Sequence, residues 1–455
     1  MPTQQAASFL RSAARPLSGG EHDYDALLDL VGDARFVLLG EATHGTHEFY
    51  EERARITRRL IEEKGFHAVA VEADWPDAYR VNRYVRGQGE DKDADAALGG
   101  FKRFPNWMWR NTDVARFVEW LRRHNGQRRG QRGGQQHGQH GSVARQVGFY
   151  GLDLYSMFTS IGEVLDYLER VDPQAATQAR ARYACFDHYD EDSQHYGYTA
   201  NIDISASCEQ GVIEQLAQMQ QRALEYMRKD GAEDGFFYAQ QNACLVKNAE
   251  EYYRTMFRGR ISSWNLRDSH MAETLDALAA YLTGDGEPAK IVVWEHNSHI
   301  GDARATEVGE LGEWNVGELA RKAYDGQTRL VGFSTYDGYV TAASEWDGPA
   351  EHKRVQPGLA GSYEALLHEV GLPRFLLPLR APGPARDILM ERRLERAIGV
   401  LYLPRTERQS HYFSAQMARQ FDAVIHIDRT TAVQPLDRGG GWHAQEPPET
   451  YPSGL

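Results

Sequence analysis

The sequence contains few cysteines and no long apolar run. Its three cysteines are widely spaced and form no C-x-x-C pair, so we expect neither a disulfide framework nor a cysteine zinc site; they are Cys185, Cys208 and Cys244. No segment approaches the roughly 18 apolar residues that a membrane-spanning helix needs, and the N-terminus carries no apolar signal-peptide core. These features predict a cytoplasmic protein that has no membrane partner.

Positive charge is scarce relative to negative charge. The chain has 51 Lys and Arg residues against 65 Asp and Glu residues, and its formal net charge is −14. Because nucleic acids attract basic surfaces, this balance speaks against a nucleic-acid partner. The G-x-S-x-G elbow of serine hydrolases is missing, and no glycine-rich phosphate fingerprint follows a predicted strand. A serine nucleophile and nucleotide chemistry therefore have no support, and the oligomeric state stays open.

Short apolar runs are the main structural signal. Each is apolar on successive residues, which is typical of strands that are covered on both faces of a parallel sheet; the clearest are residues 35–40, 67–73, 147–151 and 290–294. Residues 398–403 read as a further strand. Helical patterns lie between these runs. The sequence therefore predicts a three-layer α/β fold, with a mainly parallel central sheet flanked by helices.

The same patterns predict how the chain is organised. Residues 20–154 and 286–437 form the expected α/β core, and residues 155–285 form a large helical insertion. This insertion is either a cap over the substrate or an ordinary helical subdomain. Residues 126–141 (GQRRGQRGGQQHGQHG) contain no apolar side chain and are expected to be a disordered loop. An irregular tail is expected over residues 438–455.

Acidic residues and histidines follow the predicted strands. They are Glu41, His44, Glu72, Asp153, His296 and His299. In open parallel sheets, ligands bind beyond the carboxyl ends of the strands, so a parallel sheet would bring these side chains to one edge. The alternative is that some of them cap loops or form surface ion pairs.

Arg53 lies on the apolar stripe of the helix that follows the first strand. It shares this stripe with Phe49 and Ile56, which places its side chain on the inward face. A buried guanidinium needs a carboxylate partner, and Glu41 and Glu72 are the nearest candidates. The alternative is that Arg53 extends along the surface to solvent.

Histidine side chains supply the candidate chemistry. His44 suits a general base that is oriented by Glu72 or Glu41, although a structural histidine is the alternative. His296 and His299 are three residues apart and share a face on a helical turn. They could bind a metal ion, donate to an oxyanion or bind substrate.

Three segments together resemble the erythromycin esterase family. They are LLGEATHGTHEFYEERARITRRLIEEKGF, AVAVEADW and WEHNSHIGDAR, and the likeness extends over roughly residues 20–430. The resemblance implies a three-layer α/β fold that is shared with haem-binding proteins. It also implies hydrolysis of a carboxylic ester or lactone, as in the lactone of macrolide antibiotics, by a mechanism that needs no cofactor.

The resemblance also implies roles for individual residues. The family's catalytic positions fall on Glu41, His44, Arg53, Glu72, His296 and His299. His44 would deprotonate a water molecule and Glu72 would be the first choice to orient it. Arg53 and one of the two later histidines would stabilise the oxyanion. Arg267, Asp153 and Trp75 are the expected substrate-binding residues.

Two other functions compete with a metal-independent esterase. One is a metal-dependent hydrolase that uses His44, His296, His299 and a carboxylate as ligands. The other is a non-enzymatic protein that binds haem or another small molecule. The residues after His44 and Glu72 are more polar than a macrolide-binding wall needs, so antibiotic resistance does not follow from the motifs.

Overall fold

A mostly parallel sheet forms the centre of the computed structural model, which describes residues 3–132, 146–189, 191–230, 233–284 and 287–437. The strands, numbered in chain order, are β1 (Arg15–Pro16), β2 (Phe36–Leu39), β3 (Ala68–Asp74), β4 (Gly148–Asp153), β5 (Ile291–Trp294), β6 (Thr328–Ala342), β7 (Glu351–Val355), β8 (Arg374–Pro378), β9 (Arg393–Arg396), β10 (Tyr412–Ala415) and β11 (Ala423–Thr430). Within these ranges nine strands pair in the order β1-β8-β11-β6-β2-β5-β3-β4, with β7 added to β6. β9 and β10 form a separate antiparallel pair.

The strand directions confirm the predicted parallel core. All five pairings from β11 through β6, β2, β5 and β3 to β4 are parallel. β8 and β1 extend this sheet at one end in antiparallel fashion, and β7 pairs antiparallel with β6. The carboxyl ends of β2, β3, β4 and β5 consequently meet at one edge of the sheet.

Helices cover both faces of the sheet. They are α1 (Thr3–Ala13), α2 (Asp25–Val31), α3 (His47–Lys64), α4 (Trp75–Val85), α5 (Ala94–Ala97), α6 (Thr112–Arg132), α7 (Met157–Val171), α8 (Pro173–Tyr183), α9 (Ser193–Ile202), α10 (Glu209–Gln221), α11 (Ala223–Asp230), α12 (Glu233–Thr255), α13 (Arg260–Leu282), α14 (Asn297–Ile300), α15 (Glu307–Glu310), α16 (Val316–Ala323), α17 (Tyr363–His368), α18 (Pro384–Leu389), α19 (Glu407–Ser410) and α20 (Met417–Gln420). In the parts of the chain that the structure describes, none of these helices combines the length and the apolar character of a membrane span.

The central strand β2 shows how the two faces are separated. Phe36 and Leu38 join one buried apolar cluster, to which α1 and α7 to α13 also contribute. Val37 and Leu39 join the other, together with side chains of α2, α3 and α6. Because successive side chains of a strand point to opposite faces, an uninterrupted apolar strand supplies both cores.

The chain between β4 and β5 is dominated by helices, α7 to α13. These helices share one apolar cluster with the sheet. That they form an insertion which caps the substrate stays a prediction. Cys185 and Cys208 form a disulfide here, with their Cα atoms 5.9 Å apart, although no disulfide framework was expected from the cysteine spacing. The two cysteines are 23 residues apart in the sequence, and the packing of the helices brings them together.

Two other expectations differ from the structure. Residues 126–132 continue α6 and do not start a loop, because Arg and Gln are good helix formers and extend a helix that is already nucleated. Residues 133–141 and 438–455, which include the rest of the expected loop and the tail, lie outside the described residues. Residues 398–403 form isolated bridges at Ile398 and Leu401, and no strand.

Gly45 fixes the turn between β2 and α3. Its carbonyl accepts hydrogen bonds from the backbone N–H groups of Thr341 at 3.0 Å and Val433 at 2.9 Å. A Cβ atom at this position would lie 1.8 Å from the carbonyl oxygen of Thr341. Only glycine therefore allows the turn to approach β6 this closely.

We expect Gly45→Ala to lower the free energy of unfolding by about 1–3 kcal/mol, because the added methyl group has no room. Gly162→Ala is the control, since Gly162 is exposed on α7 and a Cβ atom there would meet no atom within 4 Å. This control should stabilise the protein by about 0.5–1 kcal/mol. Urea unfolding measures the free energy of unfolding of both variants, and equal changes in the two would contradict the packing argument.

Candidate active site

The ends of the parallel strands bring most of the predicted site residues together. Glu41 and His44 follow β2, Glu72 lies in β3, Asp153 ends β4, and His296 follows β5. Arg53 reaches this edge from α3, and His299 from α14. All of these side chains are buried, with exposed fractions of 0 to 7%.

Glu41 joins His44 to Arg53. Its Oε1 atom lies 3.0 Å from Nδ1 of His44, and its Oε2 atom accepts a hydrogen bond of 2.7 Å from Nη2 of Arg53. Glu72, the first choice for orienting His44, therefore does not have that position. Glu41 and His44 belong to the same short turn and contact each other, whereas Glu72, on β3, contacts Arg267 and the backbone of His296.

Arg53 is fully enclosed. Its guanidinium carbon lies 4.4 Å from the ring centroid of Tyr50 and 5.1 Å from that of Trp294. Such contacts and the Glu41 carboxylate compensate for the loss of hydration. The structure thus places Arg53 on the inward face of α3 behind Glu41, where it acts on His44 through that carboxylate.

Glu72 holds the segment after β5. Its Oε2 atom accepts the backbone N–H of His296 at 2.8 Å, and its Oε1 atom accepts Nη2 of Arg267 at 2.9 Å. Arg267 also donates to both carboxylate oxygens of Asp153, at 3.0 and 2.6 Å. Burial alone would raise the pKa of Glu72, but its interactions with His299, His44 and Arg267 hold it well below the ordinary value. Arg267 therefore bridges Glu72 and Asp153, and Asp153 is fully buried.

His299 lies among two carboxylates and a guanidinium. Its Nδ1 atom lies 2.9 Å from Oδ1 of Asp268, and its Nε2 atom lies 3.1 Å from Nη1 of Arg267 and 3.4 Å from Oε1 of Glu72. Burial alone would lower the pKa of His299, but the charges of Asp268 and Glu72 raise it to about 10. The ring also stacks on Trp264, with centroids 4.5 Å apart. Sequence reasoning missed Asp268, although it directly follows Arg267 on α13.

His296 has the opposite electrostatic environment. Burial is the main cause that holds the pKa of His296 well below its ordinary value, with a smaller contribution from the neighbouring His44, so its ring is neutral. Its Nδ1 atom accepts the backbone N–H of Ser298 at 3.2 Å, which assigns the ring proton to Nε2. Among the described residues, Nε2 of His296 has no well-aligned hydrogen-bond partner. The backbone of Ala42 lies close enough to contact the ring, and this contact slightly raises the pKa of His296. The ring centroids of His296 and His44 are 4.8 Å apart.

Trp75 lies apart from this cluster. Its indole is buried between aromatic rings of the helical region, stacks on Tyr150 and donates Nε1 to the carbonyl of Tyr238 at 3.3 Å. Its contacts are those of a core residue, so the structure gives no support to a contact between Trp75 and a substrate.

Glu295 is a further buried acid at this edge. Neither carboxylate oxygen has a hydrogen-bond partner among the residues that the structure describes. Burial and the negative charges of Glu72 and Asp268 raise the pKa of Glu295 well above its ordinary value. Within the same ranges, no group of three or more His, Cys, Asp or Glu side chains is arranged to hold a metal ion. The metal-dependent alternative is therefore not favoured.

We expect Asp268→Asn to return the pKa of His299 toward its value of about 6.5 in the unfolded chain. In the wild type the raised pKa stabilises the fold fully below pH ~6.5, and this contribution is lost as the pH rises through about 10. Nitrogen-15 NMR of the imidazole should show a protonated His299 at pH 8 in the wild type and a neutral one in the variant. Asp302→Asn, at a buried carboxylate paired with Arg304 and Arg321, is the control and should leave His299 protonated. A neutral wild-type ring at pH 8 would contradict the assignment.

Comparisons with known proteins find relatives that match this chain over most of its length. Erythromycin esterase type II of Escherichia coli is 21% identical over 430 residues, which cover 90% of this chain and 93% of that protein. The putative hydrolase YbfO of Bacillus subtilis (strain 168) is 22% identical over 447 residues, which cover 93% and 90%. A mutant of the erythromycin esterase EreC, solved in its open conformation, has a TM-score of 0.66 and 16% identity over 91% of this chain and 95% of its own. That structure shows that the fold is shared.

The family model described as erythromycin esterase matches residues 61–430. Glu41, His44 and Arg53 precede the matched range, so their assignment rests on the motif and on the geometry. Glu72, Arg267, His296 and His299 lie within the range. The family and the names of the relatives indicate a hydrolase, and the resemblance read from the motifs is confirmed. The chain belongs to the erythromycin esterase family.

Proposed function

We propose that this protein hydrolyses a carboxylic ester or lactone with a water molecule that His44 activates. The observation that carries the proposal is the buried series Arg53–Glu41–His44. With Nδ1 of His44 facing a carboxylate that is itself paired with a guanidinium, Nδ1 carries the ring proton and Nε2 is free to accept one. His44 also keeps some exposed surface, 7%.

The reaction follows from this arrangement. Nε2 of His44 removes a proton from water, and the oxygen of that water forms a bond to the carbonyl carbon of the substrate. Glu41 stabilises the resulting imidazolium. Collapse of the tetrahedral intermediate breaks the bond to the alcohol oxygen, and His44 returns its proton to that oxygen. The products are a carboxylic acid and an alcohol, or one hydroxy acid when the substrate is a lactone.

The two later histidines have different roles in this proposal. His296 is neutral and carries its proton on Nε2, so it can donate a hydrogen bond to the carbonyl oxygen as negative charge develops there. The substrate oxygen replaces the weak contact with the backbone of Ala42. His299 is a cation bound by Asp268 and Glu72, so it positions the Glu72 carboxylate and cannot serve as a base.

The relative in Escherichia coli is named an erythromycin esterase, so macrolide lactones and simple aryl esters are the two substrate groups to screen. Haem binding has no specific observation in its favour.

Removing the base tests the proposal directly. We expect His44→Ala to lower kcat by about 10²–10⁴-fold, the usual contribution of a general base, with an unchanged fold by circular dichroism. Glu41→Gln should lower kcat as well, since it removes the charge that stabilises the imidazolium. His47→Ala is the matched control, because His47 lies one turn further along, is partly exposed and pairs with Asp113. Ester hydrolysis that survives in His44→Ala and falls in His47→Ala would sink the assignment.

Replacing His296, the proposed hydrogen-bond donor to the oxyanion, should change kcat more than KM. We expect His296→Ala to lower kcat by about 10²–10³-fold with a smaller change in KM, because the hydrogen bond strengthens in the transition state. The backbone N–H of residue 296, which Glu72 accepts, remains in this variant. Ser298→Ala is the control, since it removes only the hydroxyl beside Nδ1. A rise in KM alone would assign His296 to substrate binding and not to the oxyanion.

A further inference from the structure

A small, partly open cavity borders His296. Its volume is about 30 Å³. Much of the wall is apolar and is supplied by Trp264, Val308, Phe413, Ala303 and Ala397. These side chains come from α13, from the α14–α15 region and from the segment around β9 and β10, so the cavity exists only in the folded chain.

Polar groups restrict what the cavity can hold. Arg260 and Glu313 also line it, but they pair with each other at 3.3 Å between Nε and Oε1. The remaining polar lining side chains are uncharged, namely Ser298, Thr306, Asn315 and Gln420. Trp264 is fixed in place, because it stacks on His299 and donates Nε1 to the carbonyl of Trp314 at 3.0 Å. A charged guest would have to leave water without a free partner of opposite charge, which is costly. The cavity therefore suits a neutral, apolar group.

We infer that this cavity is the acyl subsite of the hydrolase and that it selects a short apolar substituent on the scissile carbonyl carbon. The inference rests on the proposed function. The leaving alcohol takes its proton from His44, so the alcohol must lie on the His44 side of the carbonyl. The cavity is bordered by His296 and not by His44. It therefore receives the group on the other side of the carbonyl, which is the acyl chain.

The size of the cavity sets the length of that group. One water molecule needs roughly 10–15 Å³ of such volume, so the cavity has room for about two water-sized groups. This corresponds to a chain of about one to three carbons, or to a methyl branch next to the carbonyl of a lactone. Longer chains require the wall to move.

Val308 is the position at which the subsite can be resized. It is only partly buried, so substitution there leaves the main apolar clusters intact. Val308→Ala enlarges the cavity and Val308→Phe fills it. Val400, another partly buried valine at the edge of the opposite cluster, provides the matched control through Val400→Ala and Val400→Phe.

The experiment measures kcat/KM of the full chain for 4-nitrophenyl esters from acetate to octanoate. We expect acetate and propionate to be the best substrates and hexanoate to be at least roughly 10-fold poorer, since one misfitting methylene costs about that much in a hydrophobic pocket. Val308→Ala should move the optimum to longer chains, and Val308→Phe should reduce activity on propionate more than on 4-nitrophenyl formate. Both Val400 variants should keep the wild-type profile.

The outcomes separate this inference from the proposed function. If esters are hydrolysed but the chain-length profile is flat, or does not respond at Val308, the subsite is wrong and the hydrolase stands. If no ester in the series is hydrolysed, binding of alkyl methyl ketones from acetone to 2-octanone is followed by ligand-observed NMR. Preferential binding of the short ketones that Val308→Phe abolishes supports the subsite without hydrolysis. Equal binding of all chain lengths overturns it.

Discussion

The site depends on one buried carboxylate, that of Glu41. It lies between the guanidinium of Arg53 and the imidazole of His44, and each of its oxygens faces one of them. Removing one partner of such a buried pair typically costs about 3–5 kcal/mol, because the other charge is left without compensation. The pair therefore links the orientation of α3 to the position of His44. The close approach of Gly45 to β6 fixes the same turn from the opposite side.

A second charge cluster continues this arrangement across the sheet edge. Arg267 and His299 supply two positive charges, and Glu72, Asp153 and Asp268 supply three negative ones. Glu295 lies in the same field, where burial and the neighbouring carboxylates raise its pKa well above the ordinary value. Protonation of Glu295 would avoid a fourth buried negative charge. Because Arg267 fixes the Glu72 carboxylate, that carboxylate can in turn hold the backbone N–H of His296 in place.

The sequence allowed the sheet and most of the site to be predicted, because both depend on local pattern. Uninterrupted apolar strands imply coverage on both faces, and parallel strands imply a shared carboxyl edge, so Glu41, Glu72 and His296 could be brought together without coordinates. The sequence did not predict which of these side chains pair with one another. Glu41 and Glu72 are both carboxylates at neighbouring strand ends, and only the directions of their side chains decide which one faces His44. For the same reason Asp268 and the Cys185–Cys208 disulfide were missed, since each depends on how the helices pack.

The contrast between His296 and His299 follows from these partners and not from the residues themselves. Both are buried histidines three positions apart. His299 faces two carboxylates and becomes a cation, whereas His296 faces His44 and stays neutral. A neutral donor avoids adding a second positive charge beside the imidazolium that forms on His44 during proton transfer. A protonated His296 would oppose that step by like-charge repulsion at a ring separation of 4.8 Å. Burial, the largest cause of the lowered pKa of His296, thus keeps a like charge away from the ring of His44.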